Sequence, residues 1–127
     1  MKLSLETGTS THRIRAYATG SITVNETVHE QPLVVMPEHL IVPWSAPPLD
    51  QLGVDDFREL EACERDIILL GTGARQRFPD QRLIAAMARR GIGLEVMDTA
   101  AACRTYNVLM AEDRRVAAAL LMIEDPA

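Results

Sequence analysis

The fold of this chain is decided by IILLGTG at residues 67–73 and LEVMDT at residues 94–99. A helical apolar stripe over residues 83–88 lies between these two strands, so together they predict a βαβ unit with parallel strands. Open α/β sheets form their sites in the crevice at the carboxyl ends of such strands. Small and polar residues follow both strands, and they define a candidate crevice that consists of Gly71, Thr72, Gly73, Arg75, Asp98, Thr99 and Asn107.

The chain after the βαβ unit predicts one more helix and one more strand. The helix begins at Thr99, which is favoured as its cap, and its buried stripe includes Cys103 and Tyr106. Residues 116–123 are ambiguous, since their alanines favour a helix whereas their length and their Val, Leu and Ile content favour a buried strand. We take them as a strand, and the short connection over residues 111–114 predicts that this strand returns antiparallel along the sheet.

The first third of the chain has a different pattern. Apolar and polar residues alternate through residues 13–43, with turn signals at Gly20-Ser21 and Asn25-Glu26. This pattern predicts an N-terminal β layer of antiparallel strands and hairpins. A proline-rich connection at residues 43–48 separates the two patterns, but neither side is long enough for a core of its own. We therefore predict a single domain over residues 1–127.

Charge and hydropathy exclude several kinds of partner. The chain of 127 residues carries a net charge of −5, whereas free nucleic acid and anionic membranes require a basic face. No apolar stretch reaches the length of a membrane span, and the start of the chain lacks the apolar region of a secretory signal. These features predict a cytoplasmic protein with no membrane insertion.

The cysteines and histidines predict neither a metal site nor a redox pair. Cys63 and Cys103 stand far apart in apolar settings, which is typical of buried thiols. The three histidines all precede residue 40, and no cysteine or glutamate accompanies them at metal-ligand spacing. The sequence therefore predicts no metal, no cofactor and no catalytic residue.

The glycines at positions 71 and 73 invite a phosphate-binding interpretation, because backbone amides beside glycine can hold an anion. However, Gln76 stands where the Rossmann pattern needs its third glycine, and no Gly-Lys-Ser/Thr of a P-loop follows. A tight exit from the strand is therefore favoured over a ligand site.

Other polar residues near the crevice also have structural alternatives. Arg75 and Arg77 either clamp a carboxylate or phosphate, or form an ion pair with a neighbour such as Asp80. Asp98 either presents a carboxylate to the crevice or caps the following helix. Asn107 lies beside an apolar stripe, where a clasp that ties down neighbouring backbone is favoured over a catalytic role.

The single tryptophan, Trp44, stands in the proline-rich connection. If it is exposed together with Val42, Ala46 and Leu49, it forms an apolar patch that would anchor a protein partner. If it is buried, it covers the core between the two parts of the chain. The sequence leaves both alternatives open, and Trp44 is the candidate interaction residue.

Four short motifs in register resemble a known family. They are ILLGTG at residues 68–73, EVMDT at 95–99, TYNVL at 105–109 and RVAAAL at 115–120. This order and spacing resemble the Mth938-like family, also called domain of unknown function 498. The resemblance implies a three-layer α/β domain with a mixed central sheet, an antiparallel last strand and an added N-terminal β layer. The family is largely uncharacterised, but one mitochondrial member is an assembly factor for respiratory complex I.

Three functional hypotheses follow. The favoured one is a non-enzymatic protein-interaction domain of a bacterium, acting as an assembly factor for a respiratory complex through a protein partner of unknown identity. The alternative is a small-molecule or anion-binding protein or enzyme that uses the crevice after strands 67–70 and 94–97. The third is a homo-oligomer that pairs strands of residues 13–36 across an exposed edge.

Overall fold

The computed structural model describes residues 11–124. Within this range the chain forms a three-stranded sheet, a five-stranded sheet and helices that pack on the larger sheet. The strands are β1 (Ile14–Ala18), β2 (Ser21–Val24), β3 (Thr27–His29), β4 (Leu33–Val35), β5 (Leu40–Ile41), β6 (Ile67–Thr72), β7 (Gly93–Met97) and β8 (Val116–Leu121). The helices are α1 (Arg58–Ala62), α2 (Gln81–Arg89) and α3 (Thr99–Ala111), with 3-10 turns at Leu49–Gln51 and Val54–Phe57.

The predicted βαβ unit is confirmed. β6 and β7 pair in parallel, from Ile67 opposite Gly93 to Gly71 opposite Met97, and α2 connects them. Asp80 caps α2, because its carboxylate accepts a hydrogen bond from the Arg82 amide at 2.9 Å. The unit places the ends of both strands at one edge of the sheet.

The last strand is where the five-stranded sheet changes direction. The sheet has the order β5-β4-β8-β6-β7, and the prediction of an antiparallel last strand is confirmed for the pairing of β8 with β4. Beside β6, however, β8 runs parallel. The short connection over residues 111–114 did not predict the direction of β8 beside β6. The 13 residues of α3 rise about 20 Å and return the chain to the edge of the sheet where β6 begins, so β8 starts at the same edge as β6.

The N-terminal β layer is smaller than predicted. β1, β2 and β3 form the expected antiparallel meander, with Gly20 and Asn25 at positive φ in its two turns. β4 and β5, which were predicted to belong to this layer, instead join the central sheet. All three residues of β4 are buried, as is typical of an interior strand that is covered on both faces.

The two faces of the central sheet carry separate cores. Alternate residues of β6 divide between them, since Leu70 faces the side of α1 and α2 whereas Leu69 faces α3 and the N-terminal layer. Both faces are therefore closed, and the sheet edge at the ends of β6 and β8 remains as the place for a site. Within the described residues, no helix is long and apolar enough to cross a bilayer. The prediction about the start of the chain concerns residues 1–10, which lie outside the described range.

Candidate functional site

A groove of about 1130 Å³ opens at the carboxyl ends of β6 and β8. We call the loop from Ala74 to Phe78 the arginine loop; its residues Ala74–Arg77 line the groove together with the proline-rich connection. The apolar lining of the groove includes Ala46, Pro47, Pro48, Leu49, Leu121 and Met122, and its charged lining consists of Arg75, Arg77, Glu30 and Glu124. Of the predicted crevice residues, Thr72, Gly73 and Arg75 line this groove.

Thr72 shapes the arginine loop from its buried position at the end of β6. Its hydroxyl lies 2.6 Å from the carbonyl oxygen of Arg75, to which it donates, and it accepts a hydrogen bond from the Arg77 amide at 3.0 Å. The side-chain amide of Gln76 donates to the carbonyl of Val96 in β7 at 3.0 Å. These contacts bind the loop backbone to the sheet and leave Arg75 and Arg77 exposed to solvent.

Gly73 of the predicted crevice is hydrogen-bonded to the start of α3. The Gly73 amide donates to the hydroxyl of Thr99 at 2.8 Å, and this hydroxyl donates in turn to the Leu121 carbonyl at 2.6 Å. The Thr99 amide donates to the Gly73 carbonyl at 2.9 Å. Because these groups satisfy one another, the tight strand exit that the sequence favoured is what the structure shows.

The residue that caps α3 is Asp98, for which the sequence left this role open, and not Thr99, which the sequence favoured. Asp98 is the cap of α3, with its carboxylate accepting from the Ala101 amide at 2.8 Å. Thr99 is the first helical residue, fully buried, and links the ends of β6 and β8 instead of capping. Tertiary contacts decide which of the two residues is the cap, since either residue type suits a cap when only the local sequence is considered.

Asn107 lies on α3 against β1 and does not join the groove. Its side-chain oxygen accepts from the Ile14 amide at 3.0 Å, and its nitrogen donates to the Ile14 carbonyl at 2.7 Å. This is the predicted backbone clasp, formed across 93 positions of sequence. On the same helix, the hydroxyl of the buried Tyr106 donates to the His12 carbonyl at 2.8 Å, so the helix holds the N-terminal layer at two points.

Trp44 is buried, with 5% of its surface exposed. Its ring packs on Phe57 with centroids 5.6 Å apart, and its indole nitrogen donates to the Asp56 carbonyl at 3.1 Å. The alternative of an exposed anchor is therefore wrong, and Trp44 covers the core. The apolar patch expected around Trp44 is not formed, since Leu49 is buried as well and only Val42, at 38%, is exposed among the large apolar side chains of that set.

The ion pair suggested for the arginine loop is formed by a different arginine. Asp80 contacts Arg82 at 2.7 Å, and the hydrogen bonds from Arg82 lower the pKa of the Asp80 carboxyl to about 2. Among residues 11–124, no carboxylate lies within 4.0 Å of the side-chain nitrogens of Arg75 or Arg77. Within this range, neither guanidinium group is engaged in an ion pair.

Cys103 illustrates why the buried face of α3 offers no nucleophile. The residue is 1% exposed, and burial raises the pKa of its thiol to about 12. A thiol with such a pKa carries almost no thiolate at neutral pH, and the thiolate is the reactive form. Within the described residues, no cluster of three or more His, Cys, Asp or Glu side chains is arranged to hold a metal ion.

We expect Cys103 to resist alkylation in the native protein for these reasons. Iodoacetamide added to a Cys63→Ser variant in mildly alkaline buffer should leave the folded protein unmodified, as read by mass spectrometry. The same treatment in denaturant should alkylate Cys103 fully. Rapid modification of the folded protein would contradict the burial of this thiol.

Residues that sequence reasoning missed lie mainly in the groove. Phe78 is 64% exposed beside Arg77, and Met122 and the pair Pro47-Pro48 line the groove. An available signal was the run Arg75–Phe78, because it places one of the two phenylalanines of the chain directly after two closely spaced arginines.

The fold and the groove define a three-layer α/β domain with an exposed basic loop at one edge of its central sheet. The chain belongs to the DUF498/DUF598 family, described as proteins of unknown function, whose family model matches residues 14–121. The resemblance drawn from the four motifs is thereby confirmed.

Known structures share this fold over nearly the whole chain. A Xanthomonas campestris protein solved by NMR is 43% identical, with a TM-score of 0.82 over 96% of this chain and 92% of its own. A Bordetella pertussis protein described as an Mth938-like domain is 29% identical, with a TM-score of 0.78 over 98% of this chain and 94% of its own.

One group of relatives has a named role. The NADH dehydrogenase [ubiquinone] 1 alpha subcomplex assembly factor 3 of Danio rerio is 31% identical over 110 residues, which cover 85% of this chain and 63% of that protein. The chain spans less than two thirds of the length of the vertebrate assembly factors that it matches.

Proposed function

We propose that this chain is a non-catalytic protein-interaction domain that assists the assembly of respiratory complex I. The observation that carries the proposal is its 31% identity, over 85% of its length, to a vertebrate complex I assembly factor. The proposal retains the cytoplasmic location in a bacterium that the sequence predicted. The domain would act by binding an assembly intermediate, with no bond made or broken.

The geometry of the described residues supports binding better than chemistry. The hydroxyls of Thr72, Thr99 and Tyr106 each donate to a backbone carbonyl, so they are occupied by structural roles. The exposed side chains of the arginine loop include two arginines and an aromatic ring, which are residue types that dominate binding energy at protein interfaces.

Deletion of the gene from its own host tests this function. We expect the deletion to lower the amount of complete complex I on native gels, and with it the NADH:ubiquinone reductase activity of the membranes. Succinate dehydrogenase, measured on the same membranes, should be unchanged, and the wild-type gene should restore complex I. Normal levels of assembled complex I in the deletion strain would contradict the proposal.

A further inference from the structure

We propose that the arginine loop and the adjoining groove bind an extended, acidic segment of the partner protein, in which carboxylates flank an apolar side chain. This inference rests on the proposed protein-interaction function and names the chemistry of the partner. Arg75 and Arg77 are exposed without a carboxylate within 4.0 Å in the described part of the chain, and Phe78 is 64% exposed. Two guanidinium groups beside an aromatic ring fit carboxylates and an apolar group together.

The loop is held in one shape before any partner binds. Thr72 closes it through the hydrogen bonds to Arg75 and Arg77, and Gln76 fastens it to β7. On either side of the exposed loop, Gly73 and Pro79 are buried. A preorganised loop loses little conformational entropy when it binds, so its contacts contribute more of their energy to affinity.

The shape and lining of the groove favour an extended segment over a small ligand. At about 1130 Å³ the groove lies just above the range of about 300–1,000 Å³ that is typical of small-molecule sites. The proline-rich connection and the end of β8 give it an apolar lining through Pro47, Pro48 and Met122. Such a surface suits the apolar side chain of a peptide whose carboxylates contact the arginine loop.

The distribution of charge selects an acidic occupant. The chain as a whole carries −5, which repels acidic segments from most of its surface. At the opposite edge of the sheet, a depression of about 310 Å³ contains Arg90 and Arg115, but these are paired with Glu61 and Asp66. The groove also contains Glu30 and Glu124, which repel other carboxylates, so the acidic side chains of the partner would contact the arginine loop and its apolar side chain the proline-rich connection.

Selection from a displayed library of random twelve-residue peptides against the purified protein tests this surface. We expect the selected peptides to be rich in Asp and Glu around a Leu, Ile or Phe. Arg75→Glu/Arg77→Glu and Phe78→Ser should each weaken the binding of a selected peptide by at least about tenfold, the loss expected at a hot spot. The matched control is Arg13→Glu/Arg114→Glu, which makes the same change of charge at exposed positions outside the groove and should bind as wild type does.

Three outcomes would overturn the inference: selection of basic or uncharged peptides, no selection at all, or undiminished binding by the folded Arg75→Glu/Arg77→Glu variant. Circular dichroism verifies that each variant is folded. Cosedimentation with vesicles of phosphatidylcholine and phosphatidylserine, if lost in the same variant, would assign the loop to a membrane surface instead. If peptide binding fails these tests but the deletion strain contains less complex I, the binding surface is rejected and the assembly function is kept. If peptide binding passes these tests but the deletion strain contains normal complex I, the binding surface is kept and the assembly function is rejected.

Discussion

Replacement of Gly71 by alanine should destabilise the protein by about 2–3 kcal/mol, the range expected when a close-packed core is overfilled. A Cβ atom at this position would lie 2.9 Å from the Thr99 hydroxyl oxygen and 3.0 Å from the Thr99 Cα. The start of α3 must then move away from β6, which stretches the hydrogen bonds between Thr99 and Gly73. Urea unfolding followed by circular dichroism measures the effect.

Gly53→Ala is the matched control for this prediction. It adds the same methyl group, but apart from Gly53 itself and its two chain neighbours no atom of the described residues lies within 4 Å of the place that its Cβ would take, and Gly53 has an extended φ of −131° that any residue adopts. We expect its free energy of unfolding to stay within about 0.5 kcal/mol of wild type. Equal stability of the two variants would show that α3 does not press against β6 at Gly71.

Replacement of Asn107 by alanine should also cost about 2–3 kcal/mol. Its side chain supplies both a donor and an acceptor to the backbone of Ile14, and the removal of both leaves a buried residue of β1 with an unpaired amide and an unpaired carbonyl. Hydrogen exchange should show the loss directly, because the Ile14 amide should exchange faster while the amides of β6 keep their protection.

Val108→Ala controls for the change of helix composition. Val108 is the next residue of α3 and is 57% exposed, so its truncation removes little buried surface. Its unfolding free energy should stay within about 0.5 kcal/mol of wild type. If Asn107→Ala were as stable as this control, α3 would not hold the N-terminal layer through the clasp.

Local patterns were sufficient to predict most of the fold. The apolar runs of β6 and β7, with a helical stripe between them, predicted the βαβ unit, and Asn107 was recognised as a clasp because a polar side chain beside a buried stripe needs partners. The direction of β8 beside β6 was missed, since it depends on the length of α3 rather than on the short connection after it.

The candidate site was harder to predict because side-chain contacts across the fold decide it. Thr99 and Asp98 have the same local preference, and only the approach of Gly73 and Leu121 assigns Thr99 to the junction between strands. Burial of Trp44 likewise depends on Phe57, which the sequence did not pair with it. The exposure of Phe78 in the arginine loop was not indicated by periodicity, since the residue belongs to a loop.

The most direct test of the account is the level of assembled complex I in the deletion strain after it receives a variant gene. Wild type and Arg13→Glu/Arg114→Glu should restore the complete enzyme on native gels. Arg75→Glu/Arg77→Glu should fail to restore it although the variant accumulates as a folded protein. Full restoration by all three genes would contradict a role of the arginine loop in assembly, and a deletion strain that already contains normal complex I would contradict the assembly function itself.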